Sequence, residues 1–537
     1  MSADTPPGAS FPENPDPDRT IEHRTPQPWQ AATNDAHTQQ LPYGAAEELG
    51  FNVPGGTEDA PAKRGRGWLI AAISALFVLI LGGGGVWAFS QLNGGGTQPQ
   101  DVLPGNAIAY LRLDLDPAAN QKVALLAIGR KFPGIRDSLS DDDPRKALFE
   151  AIKGDSPDLA KVDYAKDVEP WLGDRAGLAV LPPAGDGKDP DIAVAVQVKD
   201  EAAARDGIAK LGAEDEFGLA FRDGYAILAK TQAAADGYAK AATLAQNAEF
   251  GGDTAAVGEP GVMSFWMNLG KLAAMSGAEA QGLNASTLES IKDTRFAGAL
   301  RFDDDYAELA AITRGGQPTQ IDAQPVKIAE LPASTVGAVS LSGLGDGFAK
   351  QWPTIQQAAQ ANPDGQVFTK SLEQFQQLYG LSIPDDVVTL LGKSLTIALD
   401  QEGLDGQQPN VGAVLTTDPV KAQGIVTKLE GILAGSGAPL RLATKPGDGQ
   451  LVVASSPEYA DKLSTKGTLG DSESFKLAVP EADKATYAMY VDLDKLEPLY
   501  LGGMKDDEKA NVQVLRAAGL SGSYAGSTEM TLRVLFN

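Results

Sequence analysis

The chain has 537 residues, with 45 Lys and Arg against 71 Asp and Glu, and a formal charge of −26 at pH 7. That balance repels phosphate backbones and disfavours nucleic-acid binding through a basic face. There is no cysteine, and the two histidines, His23 and His37, both lie near the start. Disulfides, Cys-zinc sites, Fe–S clusters, thiol nucleophiles and a lipidated Cys anchor are thereby excluded. At about 150 residues per domain, the length implies two or three domains.

Residues 1–67 hold ten prolines and no sustained hydrophobic periodicity. Such a segment buries too little apolar surface to offset its ordering entropy, and a disordered tail is expected. Trp29, Tyr43 and Phe51 are candidate docking points within it, and Thr5 and Thr25, each followed by proline, are candidate modification sites. Trp68 to Phe89 then reads WLIAAISALFVLILGGGGVWAF, 22 residues without a charge. At 1.5 Å per residue this crosses roughly 30 Å of hydrocarbon, so residues 68–90 are read as a transmembrane helix. Lys63, Arg64 and Arg66 precede it, and the next positive charge is Arg112. The positive-inside rule therefore puts the N-terminus in the cytoplasm and the remainder outside. A cleaved signal peptide would have a short basic start instead of a long polar tail. A buried core helix is the bland alternative, and its lack of polar residues argues against it. Gly82 to Gly85 gives room for close helix approach. Residues 91–102 read as a Gly-rich linker.

Beyond the linker the sequence repeats itself. LPGNAIAYLRL at Leu103 returns as LPASTVGAVSL at Leu331, 228 residues on. Leu172-Gly173 returns as Leu391-Gly392, the strand-helix stretch starting DPDIAVAV as QPNVGAVL, and MNLGKL at Met267 as VDLDKL at Val491. Asp223-Gly224 aligns with Asp448-Gly449, and Thr231 with Ser456. The spacings, 228, 219, 219 falling to 218 in the helix, 225 and 224, keep their order and drift as loop insertions would make them drift. Asp-Gly between apolar strands is a two-residue hairpin signal, because both residues tolerate positive φ. Thr231 and Ser456 are expected to cap the helices that follow, and Asp116-Pro117 and Asp418-Pro419 to start helices in the same way. About eight short strands per half, joined mainly by hairpins, predict an α+β fold. It comprises two tandem pseudo-repeats of mainly antiparallel sheet with helices packed on one face. The expected boundaries are 103–318 and 331–537, with a linker at 319–330, and the last strand ties Leu535 and Phe536 into a sheet.

The stretch DVLPGNAIAYLRLDLDPAANQKVALLAIGRKFP after the anchor, with the Leu-Gly and strand pattern downstream, resembles the actinobacterial membrane-anchored domain-of-unknown-function family numbered 3352. The resemblance covers roughly residues 101–537. It implies the topology above and no activity, so no site residues follow from it.

Candidate chemistry is sparse. Without histidine beyond residue 90, Ser-His-Asp arrangements are impossible in this part of the chain. Leu390 to Ser394, LLGKS, resembles the end of a phosphate loop but lacks its first glycine, and reads as a turn into a strand. The glycines at Gly343 to Gly347 lack dinucleotide-binding spacing. Asp141 to Asp143, Asp303 to Asp305, and Asp186 with Asp189 and Asp191 offer oxygen ligands for a hard cation without EF-hand spacing. Trp171 precedes the repeated Leu-Gly, where Leu390 takes its place in the second half, and Trp266 falls on a strand pattern; both read as core. No catalytic, cofactor-binding or metal-binding residue is assigned, and no cofactor is expected. The expected role is a non-enzymatic binding or scaffold module of the bacterial cell envelope. Its partners would be the bilayer, through residues 68–90, and an envelope protein or small ligand held in a groove between the repeats. The alternatives are a carboxylate-dependent hydrolase of envelope glycans, needing two acids about 5–10 Å apart in a cleft, and a transmembrane sensor.

Overall fold

The computed structural model describes residues 96–537 except 134–144, 147–148, 151–152, 154–160, 184–188, 212–216, 276–284, 317–320, 361–362, 405–408, 436–440 and 525–527. The expected tail and transmembrane helix lie outside the described residues, as do Asp141 to Asp143 and Asp186. No helix among the described residues is long and apolar enough to cross a membrane.

The first repeat supplies β1 (Ala109–Asp114), β2 (Leu172–Leu181), β3 (Asp191–Val198), β4 (Gly218–Arg222), β5 (Tyr225–Ala229), β6 (Met263–Asn268), β7 (Arg295–Phe302) and β8 (Tyr306–Arg314). The second supplies β9 (Thr335–Ser342), β10 (Ser394–Asp400), β11 (Val411–Thr416), β12 (Ala443–Gly447), β13 (Gln450–Ala454), β14 (Tyr487–Asp492), β15 (Leu515–Ser523) and β16 (Thr528–Phe536). All sixteen form one antiparallel sheet in the order β12-β13-β11-β10-β9-β14-β15-β16-β8-β7-β6-β1-β2-β3-β5-β4. Each half has the same internal order, and the two meet through their last strands.

The duplication extends to register. Tyr110 lies between Ala179 and Trp266, and Ala338 lies between Ala398 and Tyr490. Ala195 faces Ile227 as Val414 faces Val452. These partners reproduce the sequence spacings of 228, 219, 224 and 225. At the seam, eight residue pairs from Thr313–Thr528 to Tyr306–Leu535 join β8 to β16. Seven antiparallel steps separate β1 from β9, so the repeats are related by half a turn about an axis through the seam.

Local chemistry sets the elements as expected. Asp223 and Gly224 have φ of 49° and 81°, both positive, as the tight β4–β5 hairpin requires. The Thr231 hydroxyl accepts from Ala234 N at 3.2 Å and the Ser456 hydroxyl from Tyr459 N at 3.1 Å, capping the helices Gln232–Lys240 and Pro457–Leu463. Asp116 does not cap. The first helix, α1 (Ala119–Lys131), starts from Ala118 without a side-chain cap, and the Asp116 carboxylate turns instead to Lys122.

Helices cover both faces of the sheet, which corrects the one-face expectation. In β5, Tyr225 and Ile227 pack with Leu244 and Phe250 on one face, while Ala226 and Leu228 pack with Ala204 and Ile208 on the other. The first-repeat helices involved are α2 (Glu201–Lys210), α3 (Gln232–Lys240) and α4 (Ala248–Val257). Their second-repeat counterparts follow α5 (Leu344–Gln360) and α6 (Pro363–Tyr379), and are α7 (Pro419–Gly435), α8 (Pro457–Leu463) and α9 (Glu473–Ala478). Both expected linkers are built into the domains where they are described. Tyr225 OH donates to Thr97 O at 2.8 Å, Val102 is buried, and Val326 and Ile328 belong to the second repeat's core.

Candidate functional site

In β1 the side chains of Tyr110, Arg112 and Asp114 alternate onto one face of the sheet. Tyr110 joins the aromatic core there, with an edge contact to Phe250 at 5.2 Å, and Phe250 meets Trp266 at 5.8 Å. Arg112 and Asp114 are 4% and 1% exposed. Charges this deep must be paired, because desolvation costs several kcal/mol per ion.

The pairing is dense. Arg112 bonds Asp114 through one terminal nitrogen, donates Nε to Gln98 Oε1 at 2.9 Å, and donates its other terminal nitrogen to Gly261 O at 3.1 Å. Arg175, opposite Asp114 on β2, donates Nε to the same carboxylate at 3.1 Å. Asp114 also accepts from Asp116 N at 2.9 Å. Burial pushes the Asp116 carboxyl above its ordinary range, against the pull of Lys122 and Arg175. Burial likewise raises the Tyr110 phenol, which stays protonated and donates to Gln100 Oε1 at 2.6 Å.

A cavity of about 250 Å³ lies between this strand and α4. Tyr110, Arg112, Ser264 and Gln100 form its polar end, and Phe250 and Val257 are among its apolar walls. Gly258 and Pro260 stand exposed at its mouth, and no acid lines it. A wider groove of about 810 Å³ runs between Pro104–Asn106 and the α3–α4 segment, floored by small residues such as Ala234 and Gly237.

Both spaces belong to the first repeat, and in the second repeat the same positions carry different side chains. Arg112 faces Gly177 and Ser264; its counterpart Ser340 faces Thr396 and Ala488 and bonds the Thr396 hydroxyl at 2.6 Å. Asp114 faces Arg175, whereas Ser342 faces Ser394. In α8 the positions of Ala234 and Gly237 hold Tyr459, which is buried, and Lys462, whose Nζ reaches Asp400 at 2.9 Å. Residues 103 and 331 therefore begin two copies of one fold with different interiors.

The motifs picked out in the sequence land mostly in turns. Lys393 lies between Gly392, at φ 56°, and the start of β10, a turn into a strand as expected. Asp303 to Asp305 form the exposed β7–β8 turn. Asp189 is exposed, and Asp191 shares a hydrogen bond with Tyr238. Among the described residues no three His, Cys, Asp or Glu are grouped to hold a metal ion. Trp171 and Trp266 are core; Trp171 Nε1 donates to Asp167 O at 2.7 Å, and Trp266 Nε1 donates to Asp253 at 2.9 Å. The buried acids are paired with cations: Asp253 with Arg295 at 2.7 Å, Asp400 with Lys462, and Asp492 with Lys495 at 2.9 Å.

Sequence reasoning passed over Arg112, Asp114 and Arg175. The available signal was charge at the inward phase of strands otherwise apolar in that phase, AYLRLD and GDRAGLAVL.

A family model described as a protein of unknown function (DUF3352) matches residues 70–225 and 228–485. Neither a curated protein nor a solved structure matches the chain.

Proposed function

The chain belongs to the DUF3352 family of proteins of unknown function; from the charge-free apolar run at residues 68–89 and the cavity of the first repeat, we propose that it is a membrane-tethered binding module of the bacterial cell envelope. Residues 1–67 stay in the cytoplasm, residues 68–90 cross the bilayer, and the double repeat lies outside. The ligand site is the cavity beside Arg112 within the first repeat, in place of a groove between repeats. One observation carries the reading: the two repeats share their strand order and most of their register, yet the first has an acid-free cavity ending on a buried guanidinium where the second carries Ser340. A hydrolase would need a carboxyl poised in a cleft, and the acids buried here are held by cations.

Two measurements test this. The chain lacks cysteine, so Asp304→Cys on the exposed β7–β8 turn gives one labelling site. A membrane-impermeant maleimide should label it in intact cells, and labelling only after lysis would refute the topology. A small-fragment panel of mixed charge should bind the full-length chain and be displaced by Ala255→Trp, which closes the cavity mouth. Fragment binding indifferent to that substitution would remove the site.

A further inference from the structure

We propose that the cavity of the first repeat takes a small carboxylate with an apolar body, its carboxylate held by Arg112 and Ser264. This rests on the reading of the domain as a binding module and names the ligand class.

A guanidinium has five N–H donors in a planar fork, a geometry that matches a carboxylate edge. Arg112 uses three: toward Gln98, Gly261 and Asp114. Among the described residues, two of its N–H groups have no partner, on a side chain that is 4% exposed and lines the cavity. Ser264, its direct neighbour across β1–β6, adds a hydroxyl with no hydrogen-bond partner among the described residues. Asp114 does not compete for the ligand, because Arg175 binds the same carboxylate and Asp114 is absent from the cavity wall.

The remaining wall sets the body of the ligand. Phe250, Val257, Pro260 and Ala299 present carbon, and no acid opposes an anion. The volume, about 250 Å³, corresponds to about eight waters at ~30 Å³ each. That is too roomy for a bare inorganic ion and suits a carboxylate on a ring or short chain. Arg112 and Arg175 share the one Asp114 carboxylate, which leaves one positive charge to balance one ligand carboxylate, whereas a phosphate monoester brings nearly two. The second repeat offers an internal control: Ser340 and Ala488 stand where Arg112 and Ser264 stand, and Ile328 and Val479 are buried in its core.

The test is calorimetric titration of the full-length chain with benzoate, phenylacetate and hexanoate, beside benzamide, benzylamine and phenyl phosphate. The carboxylates should bind and benzylamine should not. Benzamide should bind about tenfold more weakly than benzoate, the margin of a charge-assisted bond over a neutral one. Arg112→Gln should abolish carboxylate binding. Arg112 is buried, so Ala255→Trp provides a second arm that leaves the ion pairs untouched and should also abolish binding. Ser340→Ala should change nothing. Equal affinity for benzoate and benzamide, or tighter binding of phenyl phosphate, would overturn the ligand class. The cavity would then stand if Ala255→Trp still displaced the bound probe. Failure of every probe to bind would overturn the ligand class and the binding-module reading together.

Discussion

The two repeats share a backbone plan and differ inside it. In the first, the inward face of β1 and β2 carries Arg112, Asp114 and Arg175; in the second, the same three points carry Ser340, Ser342 and Ser394. Asp253 on α4, paired with Arg295 and Trp266, has Ala478 as its counterpart on α9, and Arg295 has Ala517. Strand register and helix caps are common to both copies. Buried ions are therefore no requirement of the fold, and a hydroxyl network fills the same space. A buried ion pair is weak evidence for stability, because desolvation offsets its attraction. Its presence beside the Arg112 cavity fits a role at that cavity.

The contrast can be broken first at Asp114. Asp114→Ala strands two buried guanidinium groups and should cost about 3–5 kcal/mol, read as a fall in the urea midpoint of the full-length chain. Ser342→Ala, its counterpart, leaves Gln324 N without its acceptor and removes one of the two bonds to Lys393 O. It should cost only about 1–2 kcal/mol. Equal losses would show that the ion cluster is not the more demanding interior.

Alkali probes both interiors at once. Burial raises the phenols of Tyr110 and Tyr225 in the first repeat and of Tyr459 and Tyr490 in the second, and takes Tyr487 up to about 12. These folded values lie above the unfolded value near 10. The linked stability is therefore complete below pH about 10 and is lost as pH climbs through about 12. Phenolate absorbance and tryptophan fluorescence should change in one shared step. Two separated steps would mean that the repeats open independently despite the continuous sheet.

The hairpin turns sharpen what is shared. Gly224 and Gly449, at φ 81° and 66°, have open space where an alanine methyl would stand, so only backbone strain opposes alanine. Each Gly→Ala change should cost about 1–2 kcal/mol, equal between repeats by thermal melting. The smallest effect belongs to the hydroxyl pair. Ser340→Ala alone should cost about 1 kcal/mol, whereas Ser340→Ala with Thr396→Val removes both partners and should come close to neutral. A double mutant worse than the sum of its singles would contradict a simple hydroxyl pair.

Much of the plan was legible because it is local. Asp223-Gly224, Thr231 and Ser456 act through neighbours a few residues away, and the repeat spacings reappear as strand registers. The seam was not legible. Tyr306–Thr313 pairs with Thr528–Leu535 across more than 200 residues, and no turn or cap marks such a partner. The second layer of helices had a signal in YAILA, which is apolar on both faces where a half-exposed strand would alternate. Asp116 misled because an aspartate before proline resembles a cap, while its actual partners, Lys122 and Arg175, come from α1 and β2. The cavity was hidden for the same reason: its polar end joins β1, β6 and the segment before β1.

An open sheet this wide leaves two rims, at β4 and β12, where unpaired backbone would recruit a strand from another molecule. At β4 the Gln232 amide takes both backbone groups of Leu219, accepting from its N–H at 3.0 Å and donating to its carbonyl at 2.9 Å. At β12 the exposed run carries Lys445 and Pro446, and proline has no N–H to offer. Ribbon growth by end-to-end sheet extension is thus blocked on one side by a glutamine imitating a neighbouring strand and on the other by a residue unable to donate.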